Sequence, residues 1–446
     1  MRAIRLPSLR WSKMRPRTAY RVLEMLPGIC VWLTFVAAVL VSFWLPVWAI
    51  TFIIIFDLYW FIRAVYVMVY LLVAYRRLRE SLAVDWQQQL DVDRLSWQDI
   101  HHLVFVPTYK EPYEVIEQSF EGLAAVRYPK DKLIVVFACE ERDRANVETY
   151  AHRIQDKFGA TFGELLVTFH PADLPGEVPG KGANINWAGH RAVERIDQRR
   201  IPHERVIVTT LDVDTVVHPQ YFSNLTHVFL NHPTPLRTSY QPIPFYHNNV
   251  WTSSALTRVV ASSTTFWLLT ETVRPDRLFT FSSHSMPLTA LIDVGFWQSD
   301  IVTEDSRIFL QCFMEYDGDY RVTPLYIPIS MDTVSTPSLR RTIVNQYKQQ
   351  RRWAYGVENF PWMVWNFNAN PNIPFRKKAK YIWNQVEGVY SWATAPIIIF
   401  LLGWLPVRVA AFQDNPPTLV YSAPAVLQFL MLIAMIGLVV AAILST

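Results

Sequence analysis

The stretch RVIVTTLDVD, residues 205–214, decides the fold. It is a nearly continuous apolar run, β-branched from Val206 to Thr210, that closes on two carboxylates one residue apart. A strand covered on both faces reads this way, whereas a half-exposed strand alternates. Three earlier runs share the texture: HLVFVP at 102–107, LIVVFA at 133–138 and LLVTF at 165–169. Helical stretches at 112–126, 143–158 and 183–196 separate them. Strand and helix in alternation predict βαβ units, a parallel sheet and an α/β domain.

Open sheets of this kind bind ligands at the carboxyl ends of their strands. The first strand runs into Thr108, Tyr109, Lys110 and Glu111, the second into Glu140, Glu141 and Asp143, the fourth into Asp212 and Asp214. Any one of these acids is accounted for as a turn or capping residue. Three acidic strand ends on one rim point to a site. Asp212 and Asp214 together suit magnesium or manganese, which takes one or two carboxylates and leaves its other positions to substrate phosphates. The segment PADLPGEVPGKG at 171–182 reads as a proline- and glycine-rich loop. Further on, IVTEDSRIFLQCF (301–313) puts Thr303 at a helix N-cap with Glu304 and Asp305 in the first turn. On its own that is ordinary helix-end chemistry.

The whole chain, 446 residues, has room for about two or three domains. It is 51% hydrophobic and 18% charged, with net charge +4. No charged residue occurs from Pro27 to Phe56, and a membrane span needs about 20 apolar residues. Four spans are expected, near Ile29–Leu45, Val47–Val73, Ile382–Leu405 and Leu419–Leu444, with WLPVW (44–48) turning the chain after the first. The first run is too long and wrongly flanked for a cleaved leader. Arg2, Arg5, Arg10, Lys13, Arg15, Arg17 and Arg21 precede the first span, and Arg76, Arg77 and Arg79 follow the second. Arg376, Lys377, Lys378 and Lys380 precede the third, and only Arg408 stands between the last two. This distribution predicts that both termini and the middle region are cytosolic, in a plasma-membrane protein. Asp57 and Arg63 fall inside the second span, where ionisable side chains face protein or water. The positive charge gathers beside the spans and suits anionic lipid; no nucleic-acid motif is present. Cys30, Cys139 and Cys312 are too scattered for a disulfide framework or a zinc site.

In NQYKQQRRWAYG (345–356), Gln349, Arg352 and Trp353 stand at i, i+3 and i+4, one face of a helix. A solvated helix explains the arginines but not Trp353; a phosphate or sugar site accounts for all three. Trp362 and Trp365, a little later, read as residues set against the membrane surface.

DVD, TED and QQRRW, in that order within a membrane-flanked α/β domain, resemble the family 2 glycosyltransferases. The likeness is nearest to the membrane-integrated branch of cellulose synthase and hyaluronan synthase, and it covers about residues 100–355. Each motif alone is common, but the three together are specific. The resemblance implies a GT-A nucleotide-sugar-binding domain flanked by transmembrane helices, two before and two after. It implies a basic cytosolic arm (1–25), two spans (26–75), the GT-A domain (98–335), the QxxRW helix with an amphipathic interfacial segment (336–375), and two spans (380–446). Thr108, Tyr109 and Glu111 match the family's nucleotide loop. Glu140, with Glu141, stands where the family has paired aspartates. Lys181 in GKGANINWA resembles the Lys-Ala-Gly-x-x-Asn segment near the nucleotide and diphosphate. Asp212 and Asp214 would hold the metal and the nucleotide sugar, Asp305 would be the general base with Glu304 beside it, and Gln349, Arg352 and Trp353 would meet the diphosphate and the acceptor. A UDP-sugar is the expected donor, with Mg2+ or Mn2+ as cofactor. Where the family has a Cys-Gly-rich acceptor segment this chain has FTFSSHSMPL (279–288), in which His284 is either an acceptor contact or a structural histidine.

Three functions fit these features. The first is a synthase extending a polysaccharide at the membrane, the second a non-processive transferase that glycosylates a membrane lipid. The third, of another class, is a catalytically inactive GT-A scaffold in an export complex; the intact DxD, TED and QxxRW motifs argue against it.

Overall fold

A computed structural model describes residues 16–92, 96–412, and beyond those 418, 419, 421, 422, 425, 429 and 432. They fall into two compact units, one of Ala74–Gly356 and the other drawn from Arg2–Val73 and Val357–Thr446.

The second unit begins with helices α1 (Pro16–Trp44) and α2 (Pro46–Leu82), which break at Leu45 as WLPVW suggests. Both are long and apolar enough to cross a bilayer. At 1.5 Å per residue, α1 measures about 43 Å against a hydrocarbon core of about 30 Å. Many of their apolar side chains point outward, Trp32, Leu33, Trp48 and Ile55 among them, while Ile50, Ile53 and Leu71 are buried.

The first unit holds α3 (Trp86–Val92), β1 (His101–Pro107), α4 (Tyr113–Ala124), β2 (Leu133–Glu140), α5 (Arg144–Phe158), β3 (Glu164–His170), α6 (Lys181–Gln198), β4 (Val206–Thr210) and β5 (Val216–Val217). It continues with α7 (Tyr221–Asn231), β6 (Thr238–Tyr246), α8 (Ala255–Glu271), β7 (Ser285–Pro287), α9 (Leu288–Asp293), α10 (Glu304–Glu315), β8 (Arg321–Met331) and α11 (Leu339–Ala354). One sheet runs β3-β2-β1-β4-β7-β6-β8-β5. The four apolar runs are its parallel half, with Val104 opposite Val135 and Thr209. β1 and β2 are buried almost throughout, and α4 covers one face through Ile116, Phe120 and Leu123, the spacing of an apolar helical stripe.

The other half corrects the expected parallel sheet. β7 lies antiparallel to both β4 and β6, β8 is parallel to β6, and β5 is antiparallel to β8, so the sheet is mixed. β6 carries Pro242 and Pro244, and β8 carries Pro324 and Pro328. Proline removes a ladder donor and speaks against a strand in sequence. Here a register shift between Gln241 and Ile243 absorbs the irregularity.

The helical unit resumes with α12 (Asn359–Ala369), α13 (Phe375–Ile397), a π-helical turn (Ile398–Leu402) and α14 (Leu405–Ala411). The span expected at Ile382–Leu405 is therefore not one apolar helix. It carries Asn384, Gln385 and Glu387, meets Pro396, and breaks before Leu405. Among the described residues α1 and α2 alone are long and apolar enough to cross. The span expected at Leu419–Leu444 lies for the most part outside the described residues, as does the basic arm before Pro16. Trp365 is buried in protein, its ring edge-on to Tyr20 at 5.6 Å, not laid against a membrane surface. Inside α2, Asp57 is buried, and Arg63 pairs with Glu387 of α13 and donates to the Tyr59 hydroxyl.

Candidate active site

β4 ends at Thr210, so Asp212 and Asp214 sit in the turn that follows it. The turn is pinned to β1 by Leu211 N–H donating to the Phe105 carbonyl (2.9 Å) and closed by Thr215 N–H donating to the Asp212 carbonyl (2.9 Å). Asn248 donates to the Asp214 carbonyl, and Asp332 N–H donates to the Asp214 carboxylate at 3.3 Å. Burial, then the charges of Asp212 and Asp332, push the Asp214 carboxyl well above its usual range. Asp212 goes the other way: burial opposes its charge, but Lys181 and the Ser282 hydroxyl, 2.5 Å away, hold its pKa low. Glu111 faces the same cluster, its pKa raised by desolvation and by Asp332 and Asp212.

Lys181, the first residue of α6, joins the DxD and TED motifs. Its Nζ lies 2.7 Å from Asp212 Oδ1 and 3.1 and 3.2 Å from the two oxygens of Asp305. Gly182 makes this possible. A Cβ there would stand 3.0 Å from both the Gln298 carbonyl oxygen and Glu304 Cβ, so a larger residue would push the start of α6 and the start of α10 apart by a few tenths of an ångström. Gly182→Ala is expected to cost about 1–3 kcal/mol by overpacking and to lower activity by displacing Lys181. An unchanged melting temperature of the purified protein would show slack between these helix ends.

Thr303 occupies the N-cap position of α10 as expected, yet its hydroxyl makes no capping bond. Glu304 is buried, and burial, then Asp305, push its carboxyl up. The FTFSSHSMPL segment wraps the cluster. Thr280 donates to the Asp305 carbonyl at 2.6 Å, Ser282 bonds Asp212, and His284 is buried with Nδ1 2.9 Å from the Phe281 carbonyl and 3.8 Å from Asp305 Oδ1. Burial pushes the His284 pKa down. The structural reading of His284 accounts for its Nδ1 contact.

On α11, Gln349 and Trp353 line a pocket with Tyr246, Val260 and Asp332. Arg352, one residue along, is close enough to Asp212 to favour its charged form. Thr108 is buried, its N–H donating to the Ala138 carbonyl at 2.9 Å. Tyr109 is partly exposed, with Lys110 Nζ 5.0 Å and the Arg142 guanidinium 4.6 Å from its ring centre. Glu140 is buried and pairs with Arg142 (3.0 Å) and His170 (3.3 Å). The structure thus gathers Lys181, Asp212, Asp214 and Asp305, and the charges of Glu111 and Arg352 act on the same group. Gln349 and Trp353 stand in an adjoining pocket, and Tyr109 and Glu140 form a second group around Arg142.

Sequence reasoning missed Ser282, Asp332, Tyr246 and His170. His170 had a signal: it closes the third strand, and the strand-end rule that picked out Glu140 and Asp212 applies to it equally. Among the described residues, no three His, Cys, Asp or Glu side chains gather as metal ligands.

The family model described as Glycosyl transferase family group 2 matches residues 207–444, more than half of the chain. The chain belongs to that glycosyltransferase family, and its mixed-sheet unit is a GT-A-like α/β domain. No curated protein matches it. Among solved structures, a mannosyltransferase from Pyrobaculum calidifontis in complex with GDP-Man and Mn2+ is similar at 16% identity, over 89% of this chain and 97% of that one, with a TM-score of 0.46. Residues 1–349 of S. aureus TarS in complex with UDP-GlcNAc are similar at 12% identity, over 75% and 91%, with a TM-score of 0.42.

Proposed function

We propose that this glycosyltransferase is an inverting, metal-dependent enzyme of the cellulose synthase and hyaluronan synthase branch. It moves a sugar from a UDP-sugar to a growing polysaccharide at the cytosolic face of the plasma membrane. One observation carries the reading: Lys181 bonds both Asp212 and Asp305, which puts the DxD and TED carboxylates around a single point with Arg352 nearby.

Inverting transfer is a single displacement at the anomeric carbon. Asp305 accepts the proton of the acceptor hydroxyl as it attacks. Lys181 and Arg352 face the departing diphosphate and offset its charge. Thr108, Tyr109, Glu111 and Glu140 hold the nucleoside side of the donor, Glu304 backs Asp305, and Gln349 and Trp353 meet the acceptor, whose sugar ring stacks on the indole. Mg2+ or Mn2+ fits at Asp214 and Asp212, because Asp214 is a half-buried carboxylate crowded by two others and short of positive charge. With few protein ligands in reach, a cation held by these two carboxylates would take its remaining ligands from the donor. A cation bound there would stabilise the leaving diphosphate. The domain plan goes with this reading: both termini and the GT-A domain on the cytosolic side, the α1–α2 pair of spans before the domain, and the interfacial segment after QxxRW.

A second reading, transfer to a membrane lipid, has its own support. The two helices beside the Trp353 pocket carry exposed apolar stripes, Leu256, Val259 and Trp267 on α8 and Leu339, Ile343 and Tyr347 on α11. Arg340, Arg341 and Lys348 border the second stripe, as on helices that lie in a headgroup layer. Membranes containing the protein are to be incubated with a panel of radiolabelled nucleotide sugars and the product sized. Label in a polymer is expected. Label extracted with lipid selects the second reading, and label in neither sinks both.

A further inference from the structure

The loop between β3 and α6, residues 171–180, ends at Lys181, yet little holds it in place. None of its residues is buried. Asp173 (φ 57°) and Gly176 (φ 85°) turn it through left-handed backbone. Its backbone is tied to the rest of the unit by Val178 N–H, which donates to the Ser299 carbonyl at 2.9 Å. The other tie is a side chain. His170, at the end of β3, sets Nε2 2.9 Å from Glu177 Oε2 in the loop and Nδ1 3.3 Å from Glu140 Oε2 at the end of β2. The same Glu140 oxygen receives the Arg142 guanidinium, which lies over the Tyr109 ring.

Both imidazole nitrogens face carboxylate oxygens. A neutral imidazole has one N–H and can donate to only one of them; the other contact then sets a lone pair against a carboxylate. Only the imidazolium satisfies both. Resting on the proposed nucleotide-sugar site, we propose that His170 is a positioning residue: as an imidazolium bridging Glu140 and Glu177 it closes the 171–180 loop on the strand ends and so fixes Glu140, Tyr109 and Lys181 for the nucleoside diphosphate of the donor.

The neighbouring charges are of both signs, but the two that touch the imidazole are carboxylates. Glu140 faces His170 from β2, and Glu177 faces it from the loop. Arg142 pairs with Glu140, Arg144 lies over the adjacent Phe169 ring, and Arg191 of α6 lies over Trp187, whose ring is edge-on to His170. Burial pulls the His170 pKa down, but the two carboxylates outweigh it and the net direction is up. A base whose pKa is raised by folding holds its contacts below that pKa and loses one as pH rises through it. The loop is therefore closed in mild acid and released in alkali.

The test uses the full chain in detergent micelles. Amide exchange of residues 171–180, corrected for intrinsic rates, is read at about pH 6 and about pH 9, bracketing a histidine titration, and binding of UDP and of GDP with Mg2+ is measured at both. In the wild type, exchange is expected to be about tenfold faster and nucleotide binding about three- to tenfold weaker at the higher pH, the scale of one net hydrogen bond. Glu177→Gln, at a partly exposed position, should exchange fast and bind weakly at both. His170→Arg, with donors in both directions and a permanent charge, should hold the loop closed at both. Loop exchange in the wild type that ignores pH, or a Glu177→Gln protein indistinguishable from wild type, overturns the proposal. If neither nucleotide binds at any pH the donor reading fails, while loop exchange, measured without nucleotide, still decides whether His170 closes the loop.

Discussion

Asp305→Asn is expected to lower sugar transfer by about two to four orders of magnitude, the usual worth of a positioned general base, while the protein folds and binds donor much as before. The amide keeps the shape of the carboxylate but cannot take the acceptor's proton. The surroundings tolerate the change. Lys181 retains Asp212 at 2.7 Å, and Thr280 bonds the backbone carbonyl of residue 305, which the substitution leaves alone. The competing account is that Asp305 merely favours the positive end of α10, which makes it worth at most about 1 kcal/mol of stability and leaves turnover untouched. Initial rates at saturating donor, set beside a donor-binding isotherm for the same preparation, separate the two. A variant that binds donor and transfers at near the wild-type rate removes Asp305 from the chemistry.

Asp214→Asn carries the second large effect, and its signature is two changes of opposite sign. Transfer should fall by about two to three orders of magnitude, because a cation stabilising a leaving diphosphate contributes several kcal/mol. Stability in metal-free buffer should rise. Burial and the neighbouring Asp212 and Asp332 hold the Asp214 pKa up in the folded chain. A carboxyl whose pKa is raised by folding costs stability as pH climbs from its unfolded value to its folded one. At neutral pH that cost is present, and a neutral amide avoids it while still accepting from Asp332 N–H. Melting curves in excess chelator and transfer assays with added Mg2+ or Mn2+ give the two readouts. Wild-type transfer that survives the chelator would leave the DxD turn as a structural bend only.

The parallel half of the sheet and the two opening helices were legible because each is written in contiguous residues: a buried strand as an apolar run, a long apolar helix as an uncharged one. Asp212, Asp305 and Arg352 were legible through motif order, and Lys181 through the segment around it. What stayed hidden depends on contacts remote in sequence. Ser282 reaches Asp212 from 70 residues away, and Asp332 approaches Asp214 from 118. Prolines disguised β6 and β8, and β7, at three residues, is too short to show a period. The segment 382–405 misled for a different reason. Its average composition is apolar, but Glu387 and the turn at Ile398–Leu402 interrupt it.

The pairing of Arg63 with Glu387 also bears on how the chain is made. Glu387 follows Tyr59, its hydrogen-bond partner one helical turn before Arg63, by 328 residues. At about 5–20 residues per second, a ribosome needs on the order of tens of seconds to get from one helix to the other. Throughout that interval Arg63 lacks the carboxylate that balances it, and an arginine at the middle of an inserting helix costs about 2.5–3.5 kcal/mol. If α2 spans a bilayer, as the proposed function has it, the nascent helix would carry that cost until α13 emerges. The order of synthesis thus separates the two halves of the pair: a chain cut before Glu387 would lack the carboxylate that Arg63 meets, even with its GT-A-like domain complete.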